Sequence, residues 1–285
     1  MKKLIYFKEN IEGLSDVAET VKVIEKKAAS QIHLLRKEVE DLRNYREECR
    51  NVLKRLSYFY WDNKNPLLKS GESKKELIVV TSDKGIVGGL YHLIIEKLLE
   101  VKKDYQIITV IGAKGLEYLN EEEIKPNTVP VDLSYFPNPE EIEKLTNYFF
   151  SAYKKEGRIK IDILYPQFIT TAYQQPILKK FLPFDFGEEE FIGNSKHNET
   201  EGLPIFEGSK IYIFDELLKR FINVYFTEIY IESKLSEFSA RTIEAENATQ
   251  KTKELIGKAN IEYFKERRKI ITQKQLESFT VHRSV

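Results

Sequence analysis

The chain has 285 residues, 41% hydrophobic and 32% charged, enough for a packed core together with long solvated elements. Lys plus Arg equals Asp plus Glu at 45 each, a zero balance that argues against general nucleic-acid binding, which needs a basic footprint. One cysteine, Cys49, excludes an intramolecular disulfide and a cysteine-based zinc cluster, and no stretch stays apolar for the ~18 residues of a membrane span.

The opening MKKLIYFKEN carries an apolar patch too short for a signal-peptide core, so a cytosolic protein peripheral to any membrane is the expectation. All nine prolines lie between Pro66 and Pro204, and eleven of the thirteen glycines between Gly71 and Gly208. Proline breaks helices and glycine weakens them, so the flanks are free to be long helices around a divided middle. Three parts follow: an N-terminal helix over 1–65, a globular part over 66–208 and a C-terminal helix over 209–285.

In the N-terminal flank Leu14, Val21, Ala28, Leu35, Leu42, Cys49 and Leu56 recur every seven residues. Val17, Ile24, Tyr45 and Val52 form a companion row, broken at Gln31 and Glu38, where Ile32 and Val39 take over. A period near 3.5 marks a coiled-coil seam, and a helix from residue 11 to 56 reaches about 70 Å. Cys49 sits on that seam and reads as packed rather than nucleophilic.

The middle alternates. Glu76–Thr81 reads as a buried strand, Leu90–Val101 as a helix and Tyr105–Ile111 as a strand. Gly115–Glu122 is a short helix and Thr128–Leu133 a third strand. Pro139–Lys155 is an amphipathic helix capped by Asn138, and Ile159–Tyr165 is a further strand. Such alternation predicts a small parallel, Rossmann-like α/β domain. Phe184–Phe206 is aperiodic and reads as a loop. Residues 66–204 hold 17 Lys/Arg against 22 Asp/Glu, so the flanks carry the compensating positive charge.

The C-terminal flank, about Ser209–Phe279, opens with Leu217, Leu218, Phe221, Val224, Tyr225 and Ile229. It continues as a heptad row of Leu235, Thr242, Thr249, Ile256, Tyr263 and Ile270, with Phe238, Ala245, Thr252 and Ala259 between. The small residues admit a close partner helix, and the two flanks are placed to pair antiparallel within one chain. The run Lys265–Lys269 is either a solvated face or a contact for a negative surface.

Chemical motifs are sparse. Gly85, Gly88 and Gly89 follow the first strand, where a glycine turn invites a phosphate reading. Their spacing fits neither the Walker loop nor the dinucleotide fingerprint, so a structural turn is the expectation and a nucleotide-binding α/β module the alternative. His33, His92, His197 and His282 are scattered, and no carboxylate pair stands out, so no catalytic residue, cofactor site or metal site is expected.

Four stretches then resemble the γ subunits of F-type rotary ATP synthases. Lys22-Val23-Ile24-Glu25-Lys26-Lys27-Ala28-Ala29-Ser30 is similar to the family's K-A-M-E-M-V-A-A-S, and Thr81–Leu90 to its T-S-D-R-G-L-C-G-G-L. Gln167-Phe168 through Gln175-Pro176 to Phe181-Leu182-Pro183 is similar to F-x-x-x-x-x-Q-x-P…L-L-P. Ser236-Glu237-Phe238-Ser239-Ala240-Arg241, with Ala248-Thr249 and Ile271-Thr272-Gln273, is similar to S-E-x-x-A-R, A-T and I-T-Q-E-L.

The resemblance implies a long antiparallel two-helix coiled coil with an inserted α/β domain, acting as a non-catalytic central-stalk rotor. It implies α and β ring subunits, an ε subunit and a membrane c ring as partners, with acidic catch loops on β. By match, Ile24, Glu25, Lys26, Arg241, Arg268 and Thr272 are the expected contacts to the catch region. Ile24, Lys26 and Lys27 replace two methionines and a valine of the family, Arg268 replaces a glutamine, and Glu12, Asp16 and Glu19 make the early helix less basic. These departures leave open a γ-like stalk of a specialised F-type-like ATPase that powers a process other than ATP synthesis.

Overall fold

The computed structural model describes residues 2–57, 65, 67–68, 74–82, 84–129, 138–155, 160–184 and 207–283. Helix α1 spans Lys2–Ser57, followed by β1 (Lys75–Val80), α2 (Leu90–Val101), β2 (Ile107–Ile111) and α3 (Ala113–Glu121). Next come β3 (Asn127–Thr128), α4 (Pro139–Lys155), β4 (Lys160–Thr170), β5 (Tyr173–Leu182) and α5 (Lys210–Arg283). The chain divides into two compact units: Met1–Ser30 with Arg241–Val285, and Gln31–Ala240. Each contains a stretch of both long helices, so the N- and C-terminal flanks pair with each other within one chain.

In the first unit, α1 turns Phe7, Leu14, Val21 and Ala28 inward, with Leu4, Ile11, Ala18 and Glu25 as a second row. The same rows continue in the second unit as Leu35, Leu42, Cys49 and Leu56, and as Ile32, Val39, Arg46 and Leu53. The expected second row was therefore right at Ile32 and Val39 and one residue out of register at Val17, Ile24, Tyr45 and Val52. Val17, Tyr45 and Val52 are 51%, 44% and 46% exposed. Polar Glu25 and Arg46 occupy the true row and conceal it from a count of apolar residues. On α5 both expected rows hold: Phe238, Ala245, Thr252 and Ala259 are buried, and Leu235 and Thr249 are buried beside half-buried Thr242, Ile256, Tyr263 and Ile270.

The second unit holds a five-stranded sheet in the order β3-β2-β1-β4-β5. Strands β1 to β4 are parallel to their neighbours, and β5 runs antiparallel to β4. The sheet is thus mixed, not purely parallel as the alternation predicts. Edge position is what lets β5 carry Pro176 and two adjacent lysines. Its turn uses no glycine or asparagine: the Thr170 hydroxyl accepts from Tyr173 N at 3.0 Å, and the Gln174 amide donates to Thr170 O at 3.0 Å. The expected third strand reduces to Asn127–Thr128; 130–137 lie outside the described residues, as does 185–206 of the expected loop.

Helices α2 and α4 match their expected bounds. Asn138 Oδ1 caps α4 by accepting from Glu141 N at 2.9 Å, with Pro139 at the first helical position. One sheet face packs Leu77, Val79 and Leu164 against Leu90, Ile94 and Leu98 of α2. Elsewhere in the unit an aromatic cluster joins α4, β5 and α5: Phe226 lies 5.7 Å from Phe149 and 5.5 Å from Phe181 between ring centroids. Residues 228–239 of α5 are all buried, so this segment is enclosed on every side.

Space around the glycines yields a prediction with two signs. A Cβ on Gly115 would clash with the Thr81 hydroxyl and lie 2.6 Å from Thr81 Cγ2, whereas one on Gly257 meets nothing within 4 Å. Gly115→Ala should lower stability by about 2 kcal/mol through overpacking. Gly257→Ala should raise it by about 0.5–1 kcal/mol, because the residue lies in an exposed helix interior. Thermal melts of the two variants check both signs.

Candidate functional site

The turn after β1 closes on its own backbone. Leu90 N donates to Val87 O at 3.3 Å, and Leu93 N to Gly89 O at 3.2 Å. Nearby, Lys114 N donates to Ser82 O at 2.9 Å and Gly115 N to Thr81 Oγ1 at 3.1 Å. Thr81 Oγ1 in turn donates to Ile111 O at 2.8 Å. The Leu90 N–H at the start of α2 and the Lys114 and Gly115 N–H groups at the start of α3 are therefore taken by the chain itself. Gly112 (φ 105°) and Gly115 provide a close backbone approach at Thr81, beside the turn of Gly85, Gly88 and Gly89. The signal was present as Gly112-Ala113-Lys114-Gly115 directly after β2. Gly85 and Gly89 have open space at their Cβ positions, and of the three turn glycines Gly88 is left-handed, at φ 54°.

The expected contact residues Ile24, Glu25, Lys26, Arg241, Arg268 and Thr272 all fall in the first unit. They differ in accessibility: Lys26, Arg268 and Thr272 are exposed, Ile24 and Glu25 half-buried, and Arg241 only 4% exposed. Thirty-one residues of continuous helix separate Arg241 from Thr272, about 46 Å along the axis. In the neighbouring motif, Ser236, Glu237, Phe238 and Ser239 are buried, which makes that stretch core packing. Arg267, Arg268 and Lys269 are exposed, and Lys265 Nζ pairs with Glu262 at 2.7 Å.

In the second unit, a groove of about 650 Å³ lies between α1, α4 and α5 and is lined by Leu42, Tyr45, Phe150, Leu217, Arg220 and Val224, among others. It brings together no nucleophile–base pair. Arg220 Nε donates to Tyr45 Oη at 2.9 Å. Cys49 is buried, and burial raises its thiol pKa, so it packs rather than reacts. Among the described residues, no group of three or more His, Cys, Asp or Glu side chains is placed to hold a metal ion, and no helix is long and apolar enough to cross a membrane.

Paired terminal helices around an inserted mixed-sheet domain are the architecture of a stalk-type protein. The ATP synthase family profile matches residues 3–277, and the chain belongs to that family. It is 26% identical over 280 residues to the ATP synthase gamma chain of Polynucleobacter asymbioticus, covering 95% of each chain. To the gamma chain of Pasteurella multocida it is 28% identical over 269 residues, covering 92% of each. Its fold is similar to the rotor of the Euglena gracilis mitochondrial ATP synthase, with TM-score 0.64 at 19% identity, covering 95% of this chain and 99% of that one. A second structure of the Euglena enzyme, described as OSCP/F1/c-ring, gives TM-score 0.69 at 19% identity, covering 99% and 94%.

The turn supplies a prediction. Ile86 is 46% exposed with φ 62°, a left-handed conformation that a β-branched residue adopts only under strain. Ile86→Gly should stabilise the chain by about 1 kcal/mol, and Gly88→Val should destabilise it by about 1–3 kcal/mol. Gly89→Ala should lie within about 0.5 kcal/mol of wild type, since its space is open. Denaturant midpoints of the three variants check the order.

Proposed function

We propose that this chain is the central-stalk γ subunit of a rotary ATP synthase, transmitting torque between a ring of catalytic α and β subunits and a membrane c ring. The observation that carries this is the family match over 3–277, which takes in both long helices and the inserted domain together. Residues 1–65 and 209–285 form the part gripped by the ring, and 66–208 the foot, with an ε subunit as its further partner. The assembly works on the cytoplasmic side of a membrane, to which this chain is peripheral. ATP turns over on the ring, and the chain contributes mechanical coupling.

Ring contacts follow from exposure. Lys26, Arg268 and Thr272 present accessible side chains; Ile24 and Glu25 present edges, and Arg241 mainly supports its surroundings. Separation along α5 makes Arg268 and Thr272 a contact near one end of the first unit, distinct from any at Arg241. Positive charge at Arg267, Arg268 and Lys269 suits acidic loops on a ring by complementarity.

Each exposed pair contributes at most about 1 kcal/mol, because water screens it. Single neutralisations should therefore change turnover little. Reversing Arg267, Arg268 and Lys269 together to Glu should impair assembly or ATP-driven coupling, while circular dichroism of the isolated variant stays that of wild type. Full coupled activity in a complex that retains the triple variant would show that these charges only face solvent.

A further inference from the structure

Within the second unit, three elements meet at one buried carboxylate. Glu232 on α5 is 2% exposed at its side chain. Its Oε1 accepts from Arg43 Nη2 of α1 at 2.7 Å, and its Oε2 accepts from the Tyr165 hydroxyl of β4 at 3.0 Å. One turn earlier, Glu228 Oε1 accepts from Arg43 Nε at 3.2 Å, and Glu228 Oε2 lies 2.8 Å from Arg46 Nη1. The Arg46 guanidinium also stands 5.6 Å over the Tyr225 ring, and Lys179 Nζ of β5 stands 5.5 Å over the Tyr165 ring. The cluster ties α1, α5 and the β4–β5 side of the sheet together.

Stability alone does not account for such a cluster. Buried ion pairs bring little net stability over well-packed apolar residues of similar volume, because desolvation offsets their attraction. What they add over apolar contacts is direction: a hydrogen bond between a fixed carboxylate and a fixed donor weakens steeply when its angle changes, whereas an apolar contact slides. The hydroxyl of Tyr165 is held in its donor form, since burial and the charge of Glu232 both raise its pKa. Burial pushes the Glu228 carboxyl up, and Arg46 and Arg43 pull it back.

We propose that the Arg43–Glu232–Tyr165 bridge, with Glu228 and Arg46 beside it, is a torsional key that locks the sheet domain to the helix pair, so that twist applied to one is delivered to the other. This rests on the rotor reading. The key positions the elements and touches neither nucleotide nor ring.

The decisive comparison uses the assembled complex, with Cys49→Ala and a bead attached through Glu140→Cys, an exposed position of α4. ATP-driven rotation of the parent complex tests the rotor reading by itself. In the arrested complex, the angular variance of the bead measures torsional stiffness. Tyr165→Phe with Arg43→Met releases two of the three elements held by Glu232 and should raise that variance about twofold. Leu119→Ala, on the α3 side of the sheet and away from the key, serves as a control of equal or greater loss in Tm and should leave the variance unchanged.

Unchanged variance in the key variant, or equal softening in the control, would overturn the proposal even if the parent rotates. If the double variant fails to assemble, Tyr165→Phe alone, which removes one oxygen, is measured in the same way. In the isolated chain, the Tm shifts of Tyr165→Phe and Arg43→Met should be non-additive, because both act through one carboxylate. Additive shifts would contradict a shared bridge.

Discussion

The carboxylate of Glu232, shared between Arg43 and Tyr165, is the interaction on which the second unit is organised. Residues 228–239 of α5 are enclosed, and an acid in such a place is tolerable only if both oxygens are paired. The partners come from different elements, one from the N-terminal helix and one from the sheet. Losing Arg43 leaves a buried charge uncompensated, which typically costs about 3–5 kcal/mol, and losing the Tyr165 hydroxyl leaves one carboxylate oxygen without its donor, at about 1–3 kcal/mol. Arg43 keeps about half its side chain in water, which reduces the desolvation on its side of the pair. The arrangement thus fixes which faces of α1, α5 and β4 meet, a choice that apolar packing alone would leave less sharply defined.

The same interaction explains where the sequence was legible and where it was not. The first seam row of α1 and both rows of α5 could be read because their residues are apolar or small. The second row of α1 was read only at Ile32 and Val39, because Glu25 and Arg46 stand elsewhere in it, and Arg46 faces inward to meet Glu228. Outward-facing Val17, Tyr45 and Val52 completed a false row. Helix α4 was legible to the residue because Asn138 and Pro139 mark its start by known chemistry. Strand β5 was hidden by Pro176 and by a turn closed with threonine and glutamine side chains.

For the functional site, family resemblance carried what spacing could not. The motifs named the expected contact residues, but not their accessibility: Arg241 is enclosed, while Lys26, Arg268 and Thr272 are open. Burial depends on which helix faces a neighbour and cannot be taken from a motif. Nor did the glycine turn reveal its steric centre. Gly112 and Gly115 meet Thr81 across two strands, a contact made only when β1 and β2 lie side by side. Together these features describe a chain in which one buried ion cluster joins α1, α5 and the sheet, with exposed charge on the terminal helices.

The central claim, that this chain carries torque, is tested most directly by watching it turn. A ring containing the chain is fixed to a surface, a bead is attached to the sheet domain, and ATP is added. The account predicts sustained rotation in one direction that stops when ATP is removed. A ring that hydrolyses ATP with the chain bound while the bead shows only undirected fluctuation would contradict it.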